Sequence, residues 1–224
     1  FIKILILYKL FKTYKFLKYI TPVAGGIMGG LSISSYLWII LMPISLSILW
    51  SGFDRKYSNF LWGFSLIFIS HYWLLYLHPL TWLGFSWISS ILFASIILIF
   101  CSLLGGFFVI LWGLVGSKII SRTDIFSQNA SFVYLRITLV SLLWALGEVT
   151  LSQTPFLWIG IGESLIPGDL YLAGLARLIG SPGVCFIIIF LGFWIFFISE
   201  RWKRKLNINK VFFAGILTIF CLHL

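Results

Sequence analysis

Charge is what this chain has least of. Only 10% of its 224 residues are Asp, Glu, Lys or Arg, while 61% are hydrophobic; soluble domains carry about 25% and 45–50%. A water-soluble fold of this length cannot hide so much apolar surface. That excludes a soluble enzyme or binding module and makes lipid the solvent for much of the chain. Acid is scarcer still, with six Asp and Glu against sixteen Lys and Arg. The three cysteines, Cys101, Cys185 and Cys221, lie in apolar runs without CxxC spacing, which argues against a disulfide framework or a zinc site. GxSxG, HExxH, Walker A and GxGxxG patterns are all missing. No cysteine has an acid or base beside it to make it a nucleophile. No catalytic residue, cofactor or metal ligand set is therefore assigned, and no run is long enough for a soluble domain. The net charge of +10 would suggest nucleic acid in a soluble protein, but here it has a simpler source.

That source is the distribution of cations between apolar runs. Residues 1–18 carry Lys3, Lys9, Lys12, Lys15 and Lys18 among Ile, Leu, Phe and Tyr. Spaced at 100° per residue, the lysines cover one side of a helix, as in a basic amphipathic segment lying on an anionic membrane face. Residues 19–224 read as a multi-span domain. Apolar runs lie at about 19–34, 36–50, 59–77, 86–115, 131–151 and 182–199, and a seventh begins near Val211 and is cut off at Leu224. Pro43 is expected to kink the second run, and the fourth is long enough to cross with marked tilt or a break near Gly105-Gly106. Phe1 in place of Met and the abrupt stop at Leu224 give both ends the look of a fragment. The connection after the second run holds Arg55 and Lys56. The one after the fourth holds Lys118 and Arg122, and the one after the sixth holds Arg201, Lys203, Arg204, Lys205 and Lys210. With the N-terminal segment, these alternating connections contain every basic residue except Arg136 and Arg177. The positive-inside rule then places the N-terminus in the cytoplasm and makes the seventh span exit outward. The fold class expected is an all-α integral membrane protein of about seven transmembrane helices, the last truncated, preceded by a basic interfacial helix.

The outer side receives the HPLTWLG turn and a longer stretch from Trp144 to Gly180 that contains Glu163 and Asp169. Glu148 lies about 24 Å along the fifth span at 1.5 Å per residue, in the outer part of the bilayer. A carboxylate there must be paired, protonated or turned to a polar cavity. It is either a polar group at a lipid or peptide site or a satisfied buried contact, with Arg177 as a candidate partner. His71 and His78, seven residues apart, would share a helix face; His78 is expected to satisfy backbone at the His78-Pro79 turn. Trp73, Trp82, Trp87 and Trp158 form either an ordinary aromatic belt or an aromatic mouth open sideways to lipid. Within the first span, GGIMGG sets Gly25/Gly29 and Gly26/Gly30 at small-xxx-small spacing, suited to packing inside the bundle or to a dimer.

Four stretches together resemble the membrane domain of the apolipoprotein N-acyltransferase family. They are GGLSISSYLWIILMPISL, WGFSLIFISHYWLLYLHPLTWLG, LLWALGEVTL and FLWIGIGESLIPGDLYLAGLARLIGSPGVCFII. The second has the Tyr72-Trp73 pair, the third the Trp-x-x-x-Glu pattern of Trp144 and Glu148, and the fourth the family's Phe-Pro-Trp segment with Leu157 in place of Pro. Leu151 stands where the family has Arg, and Ser34-Ser35 where it has Pro. The resemblance implies an enzyme that takes an acyl chain from a membrane phospholipid as a cysteine thioester. It then passes the chain to the amine of a diacylglyceryl-cysteine lipoprotein at a bacterial inner membrane. It also implies an external nitrilase-like domain with a Glu-Lys-Cys set, to which no residue here is matched, so the chain alone is expected to be inactive. The candidate substrate or lipid contacts are Trp73, His78, Trp82, Glu148, Trp158, Glu163 and Arg177, with Asp169 to Leu178 as a lipid-facing helix. The alternative is a non-enzymatic multi-pass protein, a small transporter or assembly partner. No nucleic-acid partner is expected, and the oligomeric state is left open.

Overall fold

The computed structural model describes residues 2–34, 40–121, 125, 130–155, 159–166 and 168–223, with side-chain surroundings from Leu17 onward except at 130–131. Among them there is no strand. The helices are α1 (Ile2–Ser34), α2 (Leu41–Ser51), α3 (Lys56–Ser70), α4 (Trp87–Ile119), α5 (Ala130–Ser152), the single turn α6 (Leu170–Gly174), α7 (Ala176–Lys203) and α8 (Asn209–Leu222). Short 3-10 turns occur at Tyr72–Leu77, Thr81–Leu83 and Ile161–Leu165. Helix is the form these sequences must take in lipid, where each backbone N–H and C=O has to be satisfied within its own segment. Among the described residues, three helices are long and apolar enough to cross a membrane: Trp87–Ile119, Phe132–Ser152 within α5, and Ala176–Lys203. Leu41–Ser51 and Asn209–Leu222 are shorter apolar helices.

Small residues decide which helices touch. Gly26 of α1 lies against Ser65 and Leu66 of α3, and Gly30 against Ile69, so these two helices run in the same direction. α2 runs back beside α1, with Gly25 facing Ile48 and Gly29 facing Ser45. Close approach lets Ser45 Oγ donate to the Gly25 carbonyl at 2.6 Å. The GGIMGG stripe thus packs within the chain. A Cβ added at Gly30 would stand 2.6 Å from Ile69 Cβ and 2.8 Å from the Leu66 carbonyl oxygen. Gly30→Val should therefore destabilise the bundle by about 2 kcal/mol through overpacking, seen as a lowered midpoint of thermal unfolding in detergent. Gly174→Ala, where an added Cβ meets nothing within 4 Å, should leave it unchanged. A stripe reserved for dimers would instead lose oligomer without losing stability.

The remaining helices alternate in direction. Gly113 of α4 sits on Asn59 at the start of α3, Gly116 of α4 faces Val140 of α5, and Gly192 of α7 lies against Leu46 of α2. Tyr134 near the start of α5 packs on Phe197 near the end of α7. The Trp194 indole donates to the Val211 carbonyl at the start of α8. These pairings gather Lys18, Arg55, Lys118 and Arg201 at one end of the bundle, while the 3-10 turns lie at the other. The core between them is a chain of tryptophans. Trp50, Trp112, Trp144 and Trp62 follow one another at ring separations of 5.1, 5.2 and 6.1 Å, each pair edge-to-face. Their indoles staple helices together: Trp50 donates to Ile189 O (3.1 Å), Trp62 to Ser45 O (3.1 Å) and Trp112 to Val140 O (2.9 Å). A buried indole N–H needs such an acceptor, and each is supplied by a neighbouring helix.

Several sequence expectations change. α3 stops at Ser70, and Tyr72–Leu77 tightens into 3-10 turns, so His71 and His78 do not share an α-helical face. Pro43 lies in the first turn of α2, where a missing N–H costs no helical bond, and it does not kink the helix. α4 runs unbroken through Gly105-Gly106, which instead admits Phe60 and Ile67 of α3. α7 begins at Ala176 and bends at Gly180, whose φ of 71° and ψ of 169° suit a residue without Cβ. A single helix takes in both the lysine-rich segment and the first apolar run. Tyr36 at the start of the second run, Arg122, Asp124, Leu157, Trp158 and Pro167 lie outside the described residues.

Candidate functional site

The end opposite the cations carries the candidate residues, in two groups. The first is the corner between α3 and α4. The His78-Pro79 peptide is cis. Ser90 Oγ, fully buried, accepts from the Leu80 amide at 2.7 Å and shares a hydrogen bond with His78 Nδ1 at 2.9 Å. The imidazole edge meets the Trp87 ring at 4.3 Å. His78 therefore supports the turn through Ser90, a partner twelve residues away that spacing does not show. Trp73 stacks at 6.4 Å on His71, itself buried and hydrogen-bonded to Ser70. Trp82, Trp87 and Tyr76 are 76%, 65% and 74% exposed. The corner thus presents a broad aromatic surface on a fixed polar base.

The second group is built around Glu148. One turn of α5 separates it from Trp144, so the indole Nε1 donates to Glu148 Oε1 at 2.9 Å. The same oxygen accepts from the Ile161 amide at 3.0 Å. Cys185 of α7 lies beneath the same segment, and its Sγ accepts from the Gly162 amide at 3.3 Å. Two consecutive amides of the connecting segment are thus received by side chains of two different helices. Close approach is possible because residues 160 and 162 are glycines. A Cβ at Gly160 would lie 3.0 Å from Glu148 Oε2, and one at Gly162 3.1 Å from Cys185 Sγ. Glu148 is 5% exposed, so it is a buried tether beneath the segment. Arg177, the partner considered for it, lies exposed on the first turns of α7, and Glu163 is exposed on the 3-10 turn above.

Beside this tether is an apolar groove of about 350 Å³ walled by Met42, Leu172, Ile188, Leu191 and Ile219. Asp169 lines it too. It caps α6 through Oδ1, accepting from the Leu172 amide at 3.0 Å, and meets His223 Nε2 through Oδ2 at 2.8 Å. His223 Nδ1 faces the Ile219 carbonyl at 2.8 Å. Both ring nitrogens thus face acceptors, a geometry suited to the doubly protonated imidazolium. The Asp169 cap follows the usual N-cap preference; its partner 54 residues away leaves no trace in local sequence. The lipid-facing helix expected at Asp169 to Leu178 is two pieces, α6 and the first turns of α7, with exposed Leu170, Tyr171 and Leu178. No group of three or more His, Cys, Asp or Glu able to hold a metal occurs among the described residues.

Comparison with known proteins gives this geometry a context. No family model matches the chain. A curated apolipoprotein N-acyltransferase of Prochlorococcus marinus subsp. pastoris is 52% identical over 209 residues, covering 93% of this chain and 42% of that protein. Apolipoprotein N-acyltransferases of Prochlorococcus marinus strains SARG and MIT 9313 are 36% and 33% identical, over 93% and 89% of this chain and 42% and 40% of their own lengths. The chain spans about two-fifths of the length of the curated relatives it matches. Over the residues it shares with them, the chain is a homologue of apolipoprotein N-acyltransferases.

Proposed function

We propose that this chain is the membrane portion of an apolipoprotein N-acyltransferase. The observation that carries the reading is the 52% identity over 209 residues. The reaction moves an acyl chain from a phospholipid, released as the lysophospholipid, to the N-terminal amine of a diacylglyceryl-cysteine lipoprotein, forming an amide. This portion holds the lipidic substrates, and the thioester chemistry belongs to sequence beyond the match. Seven passes in the bacterial inner membrane, N-terminus in the cytoplasm, accord with the alternating helix directions and with the cations gathered at one end. The exposed faces of Trp73, Trp82, Glu163 and Arg177, together with Trp158, meet lipid or lipoprotein. His78 and Glu148 hold the backbone that carries those faces.

The test uses cells depleted of their own N-acyltransferase. The chain alone and the chain joined to the remainder of the 52%-identical relative are expressed, and lipoprotein N-termini are read by mass spectrometry. N-acylated termini are expected from the fusion and none from the chain alone. A fusion that is present in the membrane but leaves lipoproteins diacylated overturns the reading. Orientation has its own measurement. A cysteine placed at Glu163 should react with an impermeant maleimide in intact spheroplasts, and one at Lys203 only after the membrane is opened; the opposite pattern would invert the topology.

A further inference from the structure

The basic end of the bundle holds a second cavity, of about 480 Å³, where α1 meets the end of α2 and the start of α3. Its lining includes Lys18, Thr21, Pro22, Ser51, Arg55 and Ser58, and it contrasts with the apolar groove at the other end. The Lys18 ammonium lies 4.3 Å from the centre of the Tyr57 ring. Tyr57 in turn packs on Tyr19 at 5.4 Å. No carboxylate among the described residues lies within ion-pair distance of Lys18. Arg55 is held from three sides: Nη2 donates to the Ser51 carbonyl at 3.2 Å, Nη1 reaches Tyr57 Oη at 3.4 Å, and Asp54 stands 3.9 Å from Nε. Two cations that line the cavity thus both contact one aromatic residue, Tyr57, and the acid nearest them, Asp54, pairs loosely with Arg55 alone. Pro22 adds an acceptor. It lacks the N–H that would bond the Lys18 carbonyl in a regular helix, while Thr21 Oγ1 turns inward to the Leu17 carbonyl at 2.7 Å. The cavity lining therefore combines two charged donors with a backbone carbonyl that lacks its helical donor.

We infer that this cavity seats the headgroup of an anionic glycerophospholipid, its phosphate between Lys18 and Arg55 and a headgroup hydroxyl at the Lys18 carbonyl. A phosphodiester accepts from both cations at once. The flanking tyrosines sit at the level where aromatic rings meet headgroups, and the acyl chains run down the apolar faces of α1 and α2 beside the cavity. A zwitterionic headgroup brings its own cation to two cations already present, so the site selects for net negative charge. The inference concerns the basic end alone and stands apart from the acyltransfer reading.

The chain is purified in detergent and exchanged into nanodiscs of phosphatidylcholine or of phosphatidylcholine with phosphatidylglycerol, and retained lipids are counted by native mass spectrometry. One tightly retained phosphatidylglycerol is expected, and no retained phosphatidylcholine. With each cation near an anionic lipid contributing modestly, K18Q with R55Q should lower that retention about tenfold or more. K18Q alone, at an exposed position, should give an intermediate loss, and it remains readable if the double variant misfolds. K203Q with K205Q, equally basic but outside the cavity, should change nothing. Inorganic phosphate added up to millimolar levels should not displace the lipid; displacement would make free phosphate the ligand and overturn the lipid assignment. Equal retention of both lipids, or loss of retention with K203Q and K205Q, would reduce the site to a general basic surface.

Discussion

Trp50→Ala should cost the bundle about 3 kcal/mol, the lower end of the range for removing a buried aromatic side chain. Trp50 is fully buried and meets Phe53, Trp112 and Phe193 at ring separations of 5.1 to 5.5 Å. The lower end applies because lipid is as apolar as the core, so little transfer energy is at stake. What is lost is contact: the rings around the indole face a void on one side and forfeit their dispersion attraction. The link from α2 to the Ile189 carbonyl of α7 goes with it. Trp50→Phe keeps most of the packing and removes that one hydrogen bond, for about 1 kcal/mol. Unfolding by SDS titration of the detergent-solubilised chain should rank wild type above Phe above Ala. An alanine variant as stable as wild type would mean that α2 and α7 are held by something other than this staple.

Glu148→Ala should act locally and almost as strongly. It strips the acceptor from the Trp144 indole and the Ile161 amide. A buried donor left unsatisfied costs about 1–3 kcal/mol; with some relaxation, about 3 kcal/mol of local stability is at stake. The expected result is release of the segment around Ile161–Leu165 while the helices remain folded. Cys185, buried under Gly162, should then react with a small maleimide about a hundredfold faster, the factor for a change of that size. Glu148→Gln keeps one carbonyl oxygen for the indole and amide, and should fall near wild type. Equal labelling in wild type and Glu148→Ala would show that the segment does not depend on this tether.

The parts of this molecule written as runs were legible, and those written as pairs across helices were not. Apolar runs located α4 and α5 closely and α7 except for its first turns, because only long helices satisfy the backbone in lipid. The contact of Trp144 with Glu148 was passed over for Arg177, although their four-residue spacing, one helical turn, was there to carry it. The roles of tryptophans were not legible. Trp50 and Trp82 are the same residue type in similarly apolar surroundings, yet one is wholly buried and the other 76% exposed. Hydrophobicity does not tell core from lipid when both are apolar. Asp169 with His223 and Gly162 with Cys185 needed the fold itself, because nothing in either local sequence points to its partner.

The edge-to-face tryptophan chain gives the native state an optical identity. Indoles this close share their excitation, so Trp50, Trp112, Trp144 and Trp62 should couple as a chiral chromophore array. A pronounced near-ultraviolet circular dichroism band should mark correct assembly of α2, α3, α4 and α5, and vanish when the helices separate even if they stay helical. Detergent extracts of any variant can be sorted by that band, assembled from merely helical, before activity is asked of them.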